Sequence, residues 1–203
     1  MAQLITDIAY PPQWIFADGI TSNKGQRRAN LTDAASRPVQ FTLTTSECAL
    51  HLPFAAGTFD NDPAAVRLNL EVDVPSDSQT FFCLKAIDKW CVDYVTKHAD
   101  RLLASIPAGD VERSYRPLLT HNEKYSTHRI RLKANIAGHR CARVWDSEQK
   151  CLGSVKDVDL QGSWGVPLVC ITNLWQMGKT QWGLVCELQH LQETTQPGSV
   201  CPF

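Results

Sequence analysis

The sequence predicts a mainly β fold (β+α): a mostly antiparallel barrel or sandwich with one long amphipathic helix. Three observations lead to this fold class. Several segments alternate apolar and polar residues, one segment carries apolar residues every three to four positions, and turn signals separate the last strands. The chain has 203 residues, 43% of them hydrophobic and 20% charged, with 20 Lys+Arg against 21 Asp+Glu. This composition excludes wholesale disorder and a polycationic coat protein.

Residues 1–38 are predicted to form an irregular N-terminal arm. The segment contains Tyr10-Pro11-Pro12 and two glycines, and it sustains no periodicity. A single domain is predicted to follow over residues 39–191. Residues 192–203 are predicted to be a flexible tail, because Gln196-Pro197-Gly198-Ser199 cannot extend a strand or a helix.

The first two predicted strands show strict alternation. Val39, Phe41 and Leu43 alternate with polar residues, and so do the five apolar residues in the segment 66–74. Such alternation is typical of strands with one buried face. The polar face of the second strand is mainly acidic, so we expect it to face solvent.

One long amphipathic helix is predicted over residues 79–105. Apolar residues recur there at the period of a helix with one buried face. Asp77 or Ser78 is a suitable N-cap, and Pro107 with Gly109 ends the pattern. The helix therefore has one face to bury against the strands.

A third strand is predicted at residues 128–136, with apolar residues on one face and cations on the other. Arg129, Arg131 and Lys133 occupy alternate positions, which in a strand are about 6.8 Å apart. This spacing is similar to the repeat of an extended nucleic-acid backbone, so the row is a candidate phosphate-binding stripe.

The remaining strands are predicted to form hairpins, with turns at Gly138-His139 and around residues 177–180. The paired segments are 128–136 with 140–146, and 168–175 with 182–191. In the segment 140–146, the alternation leaves open whether Trp145 faces the core or the solvent.

Charge is unevenly distributed along the chain. Residues 113–150 contain nine Lys/Arg against three acids, a net charge of +6, so the remainder carries −7 of the total of −1. A positive surface attracts phosphates and releases counterions, and aromatic faces stack unpaired bases. Tyr115, Tyr125 and Trp145 are interleaved with these cations. The alternative is a solvated strand face, where Lys and Arg are common.

The last hairpin adds a second candidate feature. Lys179 lies at its tip between Trp175 and Trp182, an arrangement that suits a clamp on a single strand; tryptophans buried in the barrel are the alternative. The candidate nucleic-acid-binding residues are Arg129, Arg131, Lys133, Arg140, Arg143, Trp145, Lys150, Trp175 and Lys179.

Signals for an enzyme or a metal site are weak. Met177-Gly178-Lys179-Thr180 resembles the end of a phosphate-binding loop, but Asn173 occupies the position of its first glycine. The motifs HExxH, GxSxG and GxGxxG do not occur. The eight cysteines include no CxxC pair, and we interpret them as buried free thiols. We predict no catalytic residue, cofactor or metal, with a Cys/His enzyme as an alternative.

The sequence also bears on location. It contains no run of about 18 apolar residues, and its first residues lack the basic start and apolar stretch of a signal peptide. We therefore expect an intracellular protein, in the cytoplasm, the nucleus or a virion, with reduced cysteines and no membrane partner.

The C-terminal third resembles a known family. The motifs that carry the resemblance are Arg131-Leu132-Lys133, Arg143-Val144-Trp145-Asp146, Leu160-Gln161-Gly162-Ser163, the run LWQMGK ending at Lys179, Trp182-Gly183-Leu184 and the run ELQHL ending at Leu191. Their order, over roughly residues 110–191, is similar to that in the OB-fold single-stranded-DNA-binding proteins of viruses and phages. The resemblance implies an OB-fold-like barrel whose basic, aromatic-lined groove protects single strands during DNA replication or recombination.

Two partners follow from the resemblance besides DNA. Pro202-Phe203 is similar to the terminal Pro-Phe with which many members recruit replication proteins, so Phe203 is a candidate partner-binding residue; folding back onto the body is its alternative. The tail departs from the family because Glu193 is its one acid. The long helix is an elaboration or a dimerisation element, so a homo-oligomer is a further expectation.

The sequence thus predicts a sequence-tolerant single-stranded-DNA-binding protein, with RNA as an alternative ligand. A capsid-like structural β protein that contacts packaged nucleic acid is the other non-enzymatic alternative.

Overall fold

The computed structural model describes residues 3–22, 25–43, 49–58, 64–104, 106–123 and 127–194. Within these ranges thirteen strands form one sheet. The strands are β1 (Trp14–Phe16), β2 (Ile20–Thr21), β3 (Arg27–Asp33), β4 (Val39–Thr42), β5 (Leu50–Leu52), β6 (Arg67–Val74), β7 (Tyr115–Arg116), β8 (Leu119–Asn122), β9 (Thr127–Asn135), β10 (Arg143–Trp145), β11 (Cys151–Ser154), β12 (Ser163–Met177) and β13 (Gln181–Thr194). The helices are α1 (Gln79–Lys97) and α2 (Ala99–Leu102), and Ile5–Asp7 and Ala108–Asp110 form 3-10 turns.

The β12–β13 hairpin lies at the centre of the sheet, and the prediction of this hairpin is confirmed. The two strands pair antiparallel along almost their whole length, with 15 and 14 residues respectively. The free edge of β12 pairs with β3, β4 and β5 in antiparallel orientation. The free edge of β13 pairs with β7, β9 and β10 in parallel orientation. One long hairpin therefore joins six shorter strands.

Helix α1 begins where the sequence predicts. The Ser78 side chain accepts a hydrogen bond from the backbone N–H of Phe81 at 3.2 Å, which makes Ser78 the N-cap. The apolar residues of the helix, among them Leu84, Ile87 and Val95, are buried against the sheet. The predicted single helix is divided, because His98 leaves the helical conformation between α1 and α2.

The predicted irregular N-terminal arm is corrected by the structure. Residues 1–38 include β1, β2 and β3, and β3 extends the sheet at the edge of β12. Phe16, Ala29 and Leu31 lie in the hydrophobic core. These strands are short and their main partner lies far away in the sequence, so the local pattern carries little signal.

The predicted pairing of 128–136 with 140–146 is wrong. β10 pairs with β11 and β13, not with β9. The edges of β9 are occupied by β6 on one side and by β8 and β13 on the other. A turn does follow Gly138, since the Cys141 N–H donates to its carbonyl at 3.2 Å, but it leads the chain past β9 to a free position on β13.

The predicted fold class, an OB-fold-like mainly β structure with one long helix, is confirmed. In the described ranges, no helix has the length and apolar character needed to cross a membrane. Tyr125 and the tail residues 195–203, which include the predicted partner-binding Phe203, lie outside the described residues.

Candidate nucleic-acid interface

The predicted basic stripe on β9 lies beside the acidic face of β6. The antiparallel register places Arg129 opposite Asp73, Arg131 opposite Glu71, and Lys133 opposite Asn69. The alternation of β9 is as predicted, with Ile130, Leu132 and Ala134 buried. The polar side chains of β9 are thus in position to pair across the strands.

Two of the three cations are neutralised within the sheet. Arg129 is 7% exposed, and its Nε donates to Asp73 Oδ1 at 2.7 Å, while its guanidinium lies over the Phe54 ring at 4.8 Å. Arg131 Nη2 donates to Glu71 Oε1 at 2.8 Å. The sequence places Arg129 in a candidate phosphate-binding stripe, but in the structure this side chain is buried, because the acidic strand predicted at 66–74 is its neighbour.

Lys133 has a different environment. It is half-buried, and its Nζ donates to Asn69 Oδ1 at 2.5 Å. Burial and the nearby charges of Arg131 and Arg67 lower the pKa of Lys133. The register pairs Lys133 with Glu187, whose buried carboxylate lies 3.5 Å from Arg67. Among the described residues, Lys133 is the cation of this stripe that forms no ion pair with a carboxylate, so its charge remains available to a phosphate.

A second group of predicted residues surrounds β10. Val144 is buried, so Arg143 and Trp145 lie on the outward face, and this settles the orientation that the sequence leaves open. Trp145 is half-buried, and its Nε1 donates to His190 Nδ1 at 3.2 Å. Burial lowers the pKa of His190, which favours the neutral ring that accepts this bond. Arg140 and Lys150 lie exposed in the turns before and after β10.

A row of residues crosses four strands at the other end of the β12–β13 hairpin. Trp175 of β12 lies opposite Arg28 of β3 and opposite Gly183 of β13, and Gly183 lies opposite Arg116 of β7. Opposite residues in paired strands share a face of the sheet. The row spans three strand spacings, about 14 Å. We call these four residues the stacking platform.

Gly183 allows the tryptophan ring to lie across β13. A Cβ atom at this position would be 3.3 Å from Cζ2 and Nε1 of Trp175 and 2.9 Å from the carbonyl oxygen of Arg116. Trp175 is half-buried, whereas Arg28 and Arg116 are exposed and form no side-chain hydrogen bond within the described residues. An indole between two available guanidinium groups combines a surface for base stacking with two phosphate-binding groups.

A second row, directly behind the platform, holds it in place. Its members are Arg27, Gln176, Trp182 and Tyr115, and we call them the anchor row. Arg27 donates to the carbonyls of Leu102 at 2.9 Å and Arg101 at 2.7 Å, and Gln176 Oε1 accepts from Ala104 N at 2.7 Å. Trp182 Nε1 donates to Val111 O at 2.7 Å, and Tyr115 Oη donates to Asp88 Oδ1 at 2.5 Å.

Each strand of the platform is therefore fixed by a hydrogen bond to α1, to residues 101–104 or to Val111. Rigid support of this kind reduces the entropy that a site loses on binding. It also assigns Trp182, which is fully buried, to the core and not to a clamp.

The structure brings Trp175 and Lys179 together with two residues that sequence reasoning missed. Lys179 is exposed in the turn of the hairpin, four residues after Trp175. Arg28 lies in the segment predicted to be irregular, although its alternation with the buried Ala29 is a local strand signal. Arg116 belongs to the basic segment 113–150 but has no neighbouring pattern that singles it out.

The free edge of β13 connects the candidate residues on β7, β9 and β10. Each of these strands pairs in parallel with β13 and contributes one cation along this edge. We call these three cations, Arg116, Lys133 and Arg143, the basic edge. The register pairs them with Gly183, Glu187 and His190. The alternate residues Leu184, Leu188 and Leu191 are buried, so the three cations share the outward face. The basic edge spans roughly 20 Å.

No family model and no curated protein match the sequence. A match is found with the crystal structure of gp2.5, a single-stranded DNA binding protein encoded by bacteriophage T7, with a TM-score of 0.50 and 13% identity over 82% of this chain and 89% of that one. This chain shares its fold. The single-stranded DNA-binding protein of bacteriophage Enc34 in complex with ssDNA is also similar, with a TM-score of 0.48 and 12% identity over 88% of this chain and 91% of that one.

The His, Cys, Asp and Glu side chains form no metal-binding cluster in the part of the chain that the structure describes. The six described cysteines have free thiols; four are buried as predicted, whereas Cys141 is half-buried and Cys151 is exposed, contrary to the prediction. Burial raises the pKa of the Cys170 thiol to about 11, which disfavours the reactive thiolate.

The contribution of Asp88, which binds Tyr115 of the anchor row, to the stability of the protein depends on pH. Asp88 is 7% exposed; its Oδ1 also accepts from Leu118 N at 3.1 Å, and its Oδ2 has no partner among the described residues. Burial raises the pKa of Asp88 from 3.8 to about 6. Because the pKa is higher in the folded state, the contribution of this group to stability is complete below pH 3.8 and is lost as the pH rises to 6.

We predict that Asp88→Asn removes this loss. The free energy of unfolding of the variant, relative to the wild type, should rise by roughly 2–3 kcal/mol between pH 4 and pH 8. Urea unfolding at pH 4, 6 and 8 measures the difference. Asp100→Asn, at an exposed position of α2, is the control and should show no such rise. Parallel stability curves for wild type and Asp88→Asn would contradict the prediction.

Proposed function

We propose that the chain is a sequence-tolerant single-stranded-DNA-binding protein that acts in DNA replication or recombination. The observation that carries this proposal is the stacking platform, in which Trp175 lies over Gly183 between Arg28 and Arg116. The shared fold with gp2.5, which is described as a single-stranded DNA binding protein, supports the proposal.

The platform and the basic edge suit one extended strand. A base stacks on Trp175, while phosphates contact Arg28, Arg116, Lys133 and Arg143. Stacking contributes about 1–3 kcal/mol per base and tolerates any sequence, because every base has a π face. Paired bases are already stacked inside a duplex, so this contact selects single strands. The proposed role is binding without catalysis.

The proposal also includes two protein partners. The tail is proposed to recruit a replication protein through Phe203, on the basis of the resemblance of its Pro-Phe ending. A homo-oligomer is proposed because an exposed face of α1, with Phe82 56% exposed, is available for self-association. RNA is the alternative ligand, since stacking and phosphate contacts alone do not distinguish it.

A titration tests the proposal. We expect a 12-residue oligothymidine to quench tryptophan fluorescence and to bind at least tenfold more tightly than a duplex of equal length. Four phosphate contacts on a single strand predict a slope of about −3 in a plot of log affinity against log salt, or a loss of about 50-fold between 50 and 200 mM. Equal affinity for duplex and single strand, or affinity that is independent of salt, would refute it.

A further inference from the structure

An open groove of about 740 Å³ lies on the outward face of β2 and β3, beside the stacking platform. Ile20 of β2 lies opposite Arg28, so the groove continues the platform row by one strand. The side chains that give it its chemistry are Asp18, Ile20, Ser22, Gln26, Arg28 and Asn30. Arg28 belongs to both the platform and the groove, and β2 lies one strand spacing, about 5 Å, beyond it, within reach of the nucleotide next to the one stacked on Trp175.

The groove has hydrogen-bonding groups that are available. Gln26, Arg28 and Asn30 alternate along β3 and are exposed on its outward face. The side-chain amides of Gln26 and Asn30 have no hydrogen-bond partner among the described residues. Amides of this kind recognise base edges, because each offers a donor and an acceptor side by side.

The groove also offers a hydrogen-bond acceptor and an apolar surface to a base. Asp18 contributes a carboxylate that is 77% exposed and is held by Arg101 at 3.0 Å. Arg101 binds its Oδ1, and Oδ2 can accept a hydrogen bond from the amino group of a base. Ile20 is 72% exposed and offers an apolar wall to a base plane. Arg28 is shared with the platform and holds a phosphate, while Asp18 and Ile20 contact a base.

We propose that this groove binds the edge of one unstacked nucleobase and prefers a base with an exocyclic amino group to thymine. Thymine lacks an amino group, and its one N–H lies between two carbonyl oxygens that the Asp18 carboxylate repels. Adenine, cytosine and guanine each present an amino donor to this carboxylate. The inference rests on the proposed function and adds a base preference to it.

The test compares oligonucleotides that differ by one base. Anisotropy titrations use a labelled 12-residue oligothymidine and variants with a single cytidine at each interior position. In the wild type, we expect the best-placed cytidine to tighten binding by about fivefold. We expect the gain to fall below twofold in Asp18→Asn, which keeps an acceptor for Arg101, and in Gln26→Ala/Asn30→Ala. Gln161→Ala, at an exposed glutamine in the turn before β12, is the matched control and should retain the gain.

The outcomes separate the two proposals. If no cytidine position improves binding to the wild type, the base preference is overturned while single-strand binding stands. If both groove variants retain the fivefold gain, the discrimination arises elsewhere and the assignment of the groove is overturned. If the wild type binds none of the oligonucleotides, the proposed function itself fails.

Discussion

Replacing Trp175 with alanine is expected to weaken single-stranded-DNA binding by about 10- to 100-fold. The change removes the ring on which a base stacks, and such contacts contribute about 1–3 kcal/mol. Arg28→Ala/Arg116→Ala is expected to reduce the salt slope by about 1.4, because two phosphate contacts are lost. Since Trp175 is itself a fluorescent reporter, the affinity is measured by anisotropy of a labelled oligothymidine.

A matched control separates the platform from general charge. Arg37 is an exposed arginine that pairs with Asp33 at 2.8 Å, away from the platform. Arg37→Ala should leave the affinity within twofold of the wild type. Wild-type affinity in Trp175→Ala, or an equal loss in Arg37→Ala and Arg116→Ala, would rule out the platform as the binding site. Melting curves show whether each variant is folded.

The second large effect is on stability. Arg129→Ala is expected to lower the free energy of unfolding by about 2–3 kcal/mol, because it leaves the half-buried Asp73 carboxylate with the His51 ring, at 2.9 Å, in place of a guanidinium. Arg131→Ala, at an exposed pair with Glu71, should cost less than about 1 kcal/mol. Urea unfolding measures both variants.

A double variant controls this prediction. Arg129→Ala/Asp73→Ala should recover part of the lost stability, because no uncompensated carboxylate remains. An Arg129→Ala variant as stable as Arg131→Ala would show that the β6–β9 pairs contribute little. DNA binding by Arg131→Ala is expected to match the wild type, since the Arg131 charge is already paired.

The elements that were predictable from the sequence are the long and strongly periodic ones. The alternation in β6 and β9, the helical period of α1 and the turn between β12 and β13 are all local signals. The choice of partners is not local. β10 pairs with β13 because the edges of β9 are occupied, and this depends on the whole sheet.

The candidate site was likewise predictable only in part. Trp175 and Lys179 were predictable because one hairpin carries both. Arg28, Gly183 and Arg116 come from three other strands, and their common row exists through the register alone. The pairing of Arg129 and Arg131 with β6 could have been predicted. The two segments are of similar length, and the polar positions of one are mainly acidic while those of the other are basic.

The central position of the β12–β13 hairpin also sets the order of events during synthesis on the ribosome. The strands β3, β4, β5, β7, β9 and β10 precede this hairpin in the chain, and each pairs with it. None of them completes its hydrogen-bond ladder until residues 163–194 have emerged. The pairing of Arg27 with Gln176 closes a long loop, at an entropic cost that slows folding. The nascent chain therefore holds open strand edges for most of its translation, which is the stage at which aggregation competes with folding.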